Sequence, residues 1–343
     1  MSDFTILPRI QTPTEGYERH YPNIVEQVHV QMEEKFWLPN EMKVELDKMT
    51  LEYKLSPKQR HAVRFVLNLF VQYELQVGEM WRRVGDIFPR PEVKMASVVV
   101  EMIERYVHAE FYDKINIVLG LDKDEHYLAF TENPILNERM KYLGSLLSPE
   151  AKDQILSVII FSLTETVSLF SSFSILKSFQ SNGLNLIPVI VRGTNQSSLD
   201  EDQHGIILSE IINTYYREIG TTLFEDKERY EQVVKAIKYC VDNELMILEE
   251  AIPDGELNGT TVEEYFDYVK HRANIYCDRL GIPRLYPNVN SVVAGWFEKN
   301  TYAYQKIDFF TTGQGREYEV GWDEVGFSAA WFDEVKEKSS DND

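Results

Sequence analysis

The chain has 343 residues, 43% hydrophobic and 12% aromatic, enough for one large packed core or two smaller ones. Its 35 Lys+Arg against 56 Asp+Glu give a net charge of −21, which opposes binding of nucleic acid or anionic lipid over any broad surface. Two cysteines, Cys240 and Cys277, make neither a disulfide framework nor a thiolate metal motif.

The opening "MSDFTILPRIQTPTEGYERHYP" lacks the basic start, apolar centre and small-residue cleavage site of a secretory signal. No uninterrupted apolar stretch reaches the roughly 18 residues of a membrane span. A cytoplasmic protein with no membrane partner is expected. Residues 1–55 look irregular and read as an N-terminal arm. Ser56 then offers an N-cap and Pro57 a first helical position for "SPKQRHAVRFVLNLFVQYELQVGEMWRRV", apolar on one face for several turns. A helix of similar length runs from Pro91 to Gly120. "SPEAKDQILSVIIFSLTETVSLFSSFSILKSFQSNG" repeats the Ser-Pro start at Ser148 and stops at Gly183. "SSLDEDQHGIILSEIINTYYREI" and segments near 225–250 and 261–280 complete the set. Alternating strand-like runs are scarce, so an all-α bundle over 56–285 is predicted. The region 286–343 reads as a C-terminal segment and tail, ending in the polar run "FDEVKEKSSDND", which folds only against a partner.

Each of four long helices carries a glutamate inside an apolar stretch: Glu74, Glu104, Glu165 and Glu201. One such residue is ordinarily a half-exposed edge position. Four of them, two followed by histidine at helical spacing, point elsewhere, because a buried carboxylate is costly unless it is paired or binds metal. Four carboxylates and two imidazoles neutralise and coordinate two divalent ions, and that donor set suits iron or manganese. "EDQH" places Glu201 and His204 at the Glu-x-x-His spacing of ferritin-like dinuclear sites. The other pair, Glu104 and His108, is one residue too long, and the position three before His108 is Arg105, which cannot ligate a metal. A π-type bulge would bring Glu104 into register; Glu101 is the weaker substitute. Tyr112 follows His108 by one more turn.

Taken together, "FWLPNE", "VQYELQVG", "HAEFY", "LTETVSLFSSF" and "LDEDQH" resemble the small, radical-generating subunit of class I ribonucleotide reductases over about residues 30–215. The resemblance implies a ferritin-like bundle with one metal site of Glu74, Glu104 and His108 and a second of Glu165, Glu201 and His204. It implies that Tyr112 stores a radical, with Leu169 and Phe173 in the apolar wall around it. Trp37, Asp200 and His108 would then relay the oxidising equivalent, and Tyr318, with Trp322 and Trp331 as anchors, would continue the route in the tail. The implied partners are a large catalytic subunit and a second copy of the chain. Reaction with dioxygen or a related oxidant at two iron ions would form the radical, and no nucleotide need bind this chain.

The sequence departs from the family pattern in two places. Its first ligand is Glu74 where aspartate is commoner, a feature of manganese–iron members that usually lack the radical tyrosine, so manganese–iron and dimanganese centres stand beside iron. Counting from Glu104 instead of His108 would put Phe111 at the radical position. A ferritin-like ferroxidase, or a di-metal oxidase with a large apolar pocket at its metals, is the competing reading.

Overall fold

The computed structural model describes residues 7–16, 18–146 and 151–298, and those up to Phe297 form one compact unit. Its first long helix is α2, Pro57–Ile87, preceded by α1, Pro22–His29. Ser56 caps α2 as expected: its hydroxyl accepts from Gln59 N at 3.3 Å and the Gln59 side chain accepts from Ser56 N at 2.8 Å. The second long helix comprises α3, Pro91–Met102, a π-helical segment Ile103–His108, and α4, Ala109–Val118, and closes at Gly120 with φ 66°. A short turn α5, Asp124–Tyr127, leads to α6, Pro134–Leu146, a helix the periodicity did not single out.

The third long helix is likewise interrupted, as α7, Gln154–Leu163, a π segment Thr164–Ser168, and α8, Leu169–Lys177. Its N-cap is Asp153, which accepts from Leu156 N at 3.0 Å; residues 151–153 are not helical, and Ser148 lies outside the described residues. The helix α9, Pro188–Ile219, starts nine residues before the expected Ser197, after Ile187 in the left-handed region at φ 44°, and ends at Gly220 with φ 74°. The helices α10, Lys227–Ala251, and α11, Val262–Arg279, are capped by Asp226 and Thr261. A two-residue hairpin, β1 Glu256–Leu257 and β2 Thr260–Thr261, joins them.

Within the arm, residues 18–55 are less irregular than expected. After α1 the chain continues into a π segment, Val30–Lys35, and α1 lies against α3 and α9 with Ile24 and Val28 buried. The entry to α1 is pinned by Glu92 on α3, whose carboxylate accepts from the backbone N–H of His20 and, at 3.0 Å, of Tyr21. This anchoring threads Gln31 and Trp37 into the bundle. Among the described residues one stretch, Gln154–Gln180, is long and apolar enough to cross a membrane by length and composition. Of its most apolar 18-residue window 94% is buried inside the protein, as expected of a helix in the core of a bundle.

Candidate metal centre

Four helical segments each deliver an acid to the same interior region: Glu74 from α2, Glu104 from the π segment after α3, Glu165 from the π segment after α7, and Glu201 from α9. All four, with His108 and His204, are fully buried. Ligand atoms of Glu74, Glu104, His108 and Glu201 lie within 4.8 Å of one another, and so do those of Glu104, Glu165, Glu201 and His204. Glu104 and Glu201 belong to both groups.

The π segment resolves the spacing problem. Its extra residue per turn lets Glu104 and His108, four apart, face one point, with His108 Nδ1 2.9 Å from Glu104 Oε2 and 3.1 Å from Glu201 Oε1. His204 Nδ1 lies 2.7 Å from Glu104 Oε1, 3.4 Å from Glu201 Oε2 and 3.5 Å from Glu165 Oε2. Several of these atoms approach closely yet form no aligned hydrogen bond: Glu104 Oε1, both oxygens of Glu74 and of Glu201, Glu165 Oε2 and both ring nitrogens of His204. Buried polar atoms are almost always satisfied. A set of oxygen and imidazole donors converging without satisfying one another fits two divalent cations, which supply the missing partners and the compensating charge.

The electrostatics agree. Burial, then the charge of Glu104, pushes Glu74 well above the usual carboxylate range, and burial, then Glu201, does the same to Glu165. Burial, then Glu201, opposes ionisation of Glu104, but the two imidazoles hold it low; burial opposes ionisation of Glu201, but hydrogen bonding from Glu165 and then from the two imidazoles holds it low. Burial disfavours the charged imidazoles, yet Glu104 and the hydrogen-bonding carboxyls around them raise His108 and His204 well above their ordinary value.

Around the cluster the side chains are fixed. Asp200 Oδ2 lies 3.0 Å from His108 Nε2 and accepts the Trp37 indole N–H at 2.7 Å; its other oxygen accepts from Gln31 Nε2 at 2.7 Å. Trp81, two turns after Glu74, donates to Glu165 Oε1 at 2.7 Å. Neither Gln31 nor Trp81 was singled out in the sequence, although Trp81 repeats the helical spacing of Glu74. Tyr112 is fully buried, stacked on Phe70 at 4.1 Å, and Phe173 lies beyond Phe70 at 5.4 Å. Leu169 is buried as well. Burial, then the charge of Glu74, pushes the Tyr112 phenol well above its ordinary value, and its hydroxyl, close to that of Ser197, forms no aligned hydrogen bond.

Phe111 fills the gap between Trp37, at 5.4 Å, and Tyr112, at 4.9 Å. It fits only because residue 193 is glycine: a Cβ there would sit 2.1 Å from the Phe111 ring. Glu101 pairs with Arg105 at the surface, away from the cluster. Tyr318, Trp322 and Trp331 lie outside the described residues. Two roomy clefts, of about 460 and 370 Å³, are lined by none of the six cluster side chains.

Long helices that bring four carboxylates and two imidazoles to adjoining points define a ferritin-like dinuclear metal protein. The sequence model for "Ribonucleotide reductase, small chain" matches residues 17–291, and the chain belongs to that family. Ribonucleoside-diphosphate reductase subunit beta of Chlamydia pneumoniae is 24% identical over 294 residues, covering 80% of this chain and 82% of the relative. The subunit beta of Bacillus phage SPbeta is 21% identical over 310 residues, covering 87% and 89%. The fold is shared with the R2 subunit from Clostridium botulinum at TM-score 0.70, 19% identity and coverage of 82% and 89%. It is shared too with dimanganese(II)-NrdF of Streptococcus sanguinis, at TM-score 0.69, 19% identity and coverage of 83% and 99%. The chain is thus the small subunit of a ribonucleoside-diphosphate reductase, an oxidoreductase component, and storage and oxidase readings are not favoured.

Proposed function

We propose that Glu74, Glu104 and His108 hold one cation and Glu165, Glu201 and His204 the other, and that Tyr112 stores the oxidising equivalent used in ribonucleotide reduction. The convergence of six buried donors that leave one another unsatisfied carries this reading. When bound, the two ions supply, with dioxygen or a related oxidant, the oxidising power that side chains alone lack.

The chain's own residues do the rest. Phe70, Phe173 and Leu169 keep water from Tyr112, and a phenol held protonated by burial must yield its proton together with its electron. Gln31 fixes Asp200 so that one oxygen serves both Trp37 and His108, a continuous hydrogen-bonded route away from the cluster. Tyr318 continues that route toward the large subunit. Two copies of the chain form the working dimer, in the cytoplasm. Iron is the first filling to test. Manganese–iron and dimanganese compete, because Glu74 stands where aspartate is commoner and the Streptococcus sanguinis relative is described as dimanganese.

Loading the purified chain with iron in air and recording its paramagnetic resonance tests the proposal. A tyrosyl signal that vanishes in Tyr112→Phe at unchanged metal content is expected, and a signal that survives that substitution contradicts it.

A further inference from the structure

A second buried polar cluster lies behind two of the ligand segments. Tyr73, Ser168, Asn243, Cys240, Tyr142 and Tyr239 line a cavity of about 20 Å³, room for a single water. Tyr73 directly precedes Glu74, and Thr164, also in the lining, directly precedes Glu165. Tyr73 is fully buried with its hydroxyl close to the Ser168 and Thr164 hydroxyls but in aligned hydrogen bond with neither, and Asn243 Nδ2 is unpartnered. Ser168 Oγ lies 3.1 Å from Cys240 Sγ. At the rim, the half-buried rings of Tyr142 and Tyr239 are 4.9 Å apart, and the Tyr239 hydroxyl donates to Glu138 at 2.9 Å. The lining thus runs from beside a ligand to the surface through oxidisable side chains. A water in this cavity would accept a proton beside Tyr73, where the Arg139 guanidinium, also in the lining, stands 5.8 Å from the Tyr73 ring centroid, and Glu138 would accept one at the rim.

We propose that Tyr73, Tyr142 and Tyr239, flanked by Cys240, form a discharge path distinct from the Trp37 route, by which an oxidising equivalent not passed to the large subunit leaves toward solvent. This rests on the reading of the cluster as an oxidising centre. Tyr73 yields one electron to the oxidised centre and its phenolic proton to the cavity water. Tyr142 gives Tyr73 an electron and leaves its own phenolic proton on the cavity water as Tyr73 takes its proton back from it. Tyr239 then gives Tyr142 an electron, Tyr142 recovers its proton from that water, and the Tyr239 proton rests on Glu138. A one-electron donor in solution returns Tyr239 to the phenol. The net change is one electron from donor to centre, and every phenol is regenerated.

The test uses the full chain, metal-loaded and oxidised without the large subunit, with ferrocyanide as donor. Ferricyanide formation is followed by absorbance, covalent oxidation by mass spectrometry and the radical by paramagnetic resonance. Tyr73→Phe and Tyr239→Phe should each slow ferricyanide formation roughly tenfold at unchanged metal content, and oxidised aromatic residues should accumulate. Because Tyr73 is buried, Tyr239→Phe at the rim decides if Tyr73→Phe fails to fold. Ferricyanide formed at the wild-type rate in these variants but abolished in Trp37→Phe overturns the path while leaving the oxidising centre standing. A wild-type chain that forms no radical and oxidises no donor overturns the centre, and the path with it.

Discussion

Trp37 and Asp200, 163 positions apart in the chain, are joined by an indole N–H to carboxylate hydrogen bond of 2.7 Å, and the same carboxylate oxygen lies 3.0 Å from His108 Nε2. The bond places an element of the N-terminal arm in the same network as the cluster. Asp200→Asn keeps the shape but removes the charge that orients His108. Reduction measured with the large subunit should fall roughly 10- to 100-fold. Metal content and the tyrosyl signal should change far less. Equal losses in all three would assign Asp200 to the centre's assembly and not to the route.

Trp81 holds Glu165 Oε1 in a site with no water access. Trp81→Phe keeps most of the ring and removes the donor, leaving a buried carboxylate oxygen unpaired at a cost of about 1 to 3 kcal/mol. Metal retention against a chelator, measured by elemental analysis, should drop, with the ion at Glu165, Glu201 and His204 lost first.

Cation uptake should release protons. Glu74 and Glu165 are pushed up mainly by burial, and His108 and His204 by the surrounding carboxyls, so the metal-free cluster keeps protons to higher pH than free side chains do. Ligands must be deprotonated, so affinity rises with pH, about tenfold per pH unit for each proton displaced, and falls as the solution is acidified. Manganese(II) titrations on either side of neutrality, with the released protons measured, check the sign.

Tyr106 is an exposed residue, 52% accessible, inside the π segment that carries Glu104 and His108. A π segment contains one residue more than the α-helix needs, so deleting Tyr106 should restore a regular helix and the shorter Glu-x-x-His spacing, and preserve metal uptake. Deleting Glu110 in α4 instead rotates Tyr112 by about 100° relative to His108. Circular dichroism and metal analysis should show the first variant folded and loaded and the second without its tyrosyl signal.

Much of the site was legible because burial leaves a mark on helical sequence. Glutamates inside apolar stretches, and the "EDQH" spacing, single out the cluster from local pattern alone. The π segment at Ile103–His108 was legible because the pair is one residue too long, whereas the one at Thr164–Ser168 has no histidine to betray it. The start at Ser56, with Pro57 behind it, is legible because cap and first-turn residue agree, whereas α9 starts at Pro188, ahead of Ser197 and Ser198, after an Ile187 that has no capping side chain. Gln31 left no signal, since its role exists only through a contact with Asp200 made by an arm of no clear periodicity. Gly193 was equally silent: only the packed Phe111 ring shows why a side chain is forbidden there.

Anomalous diffraction from crystals soaked in manganese(II) or iron(II) bears most directly on the central claim. Two peaks per chain are expected, one among Glu74, Glu104 and His108 and one among Glu165, Glu201 and His204, both lost in Glu201→Ala. A single peak, or ions bound only at surface carboxylates, would contradict it.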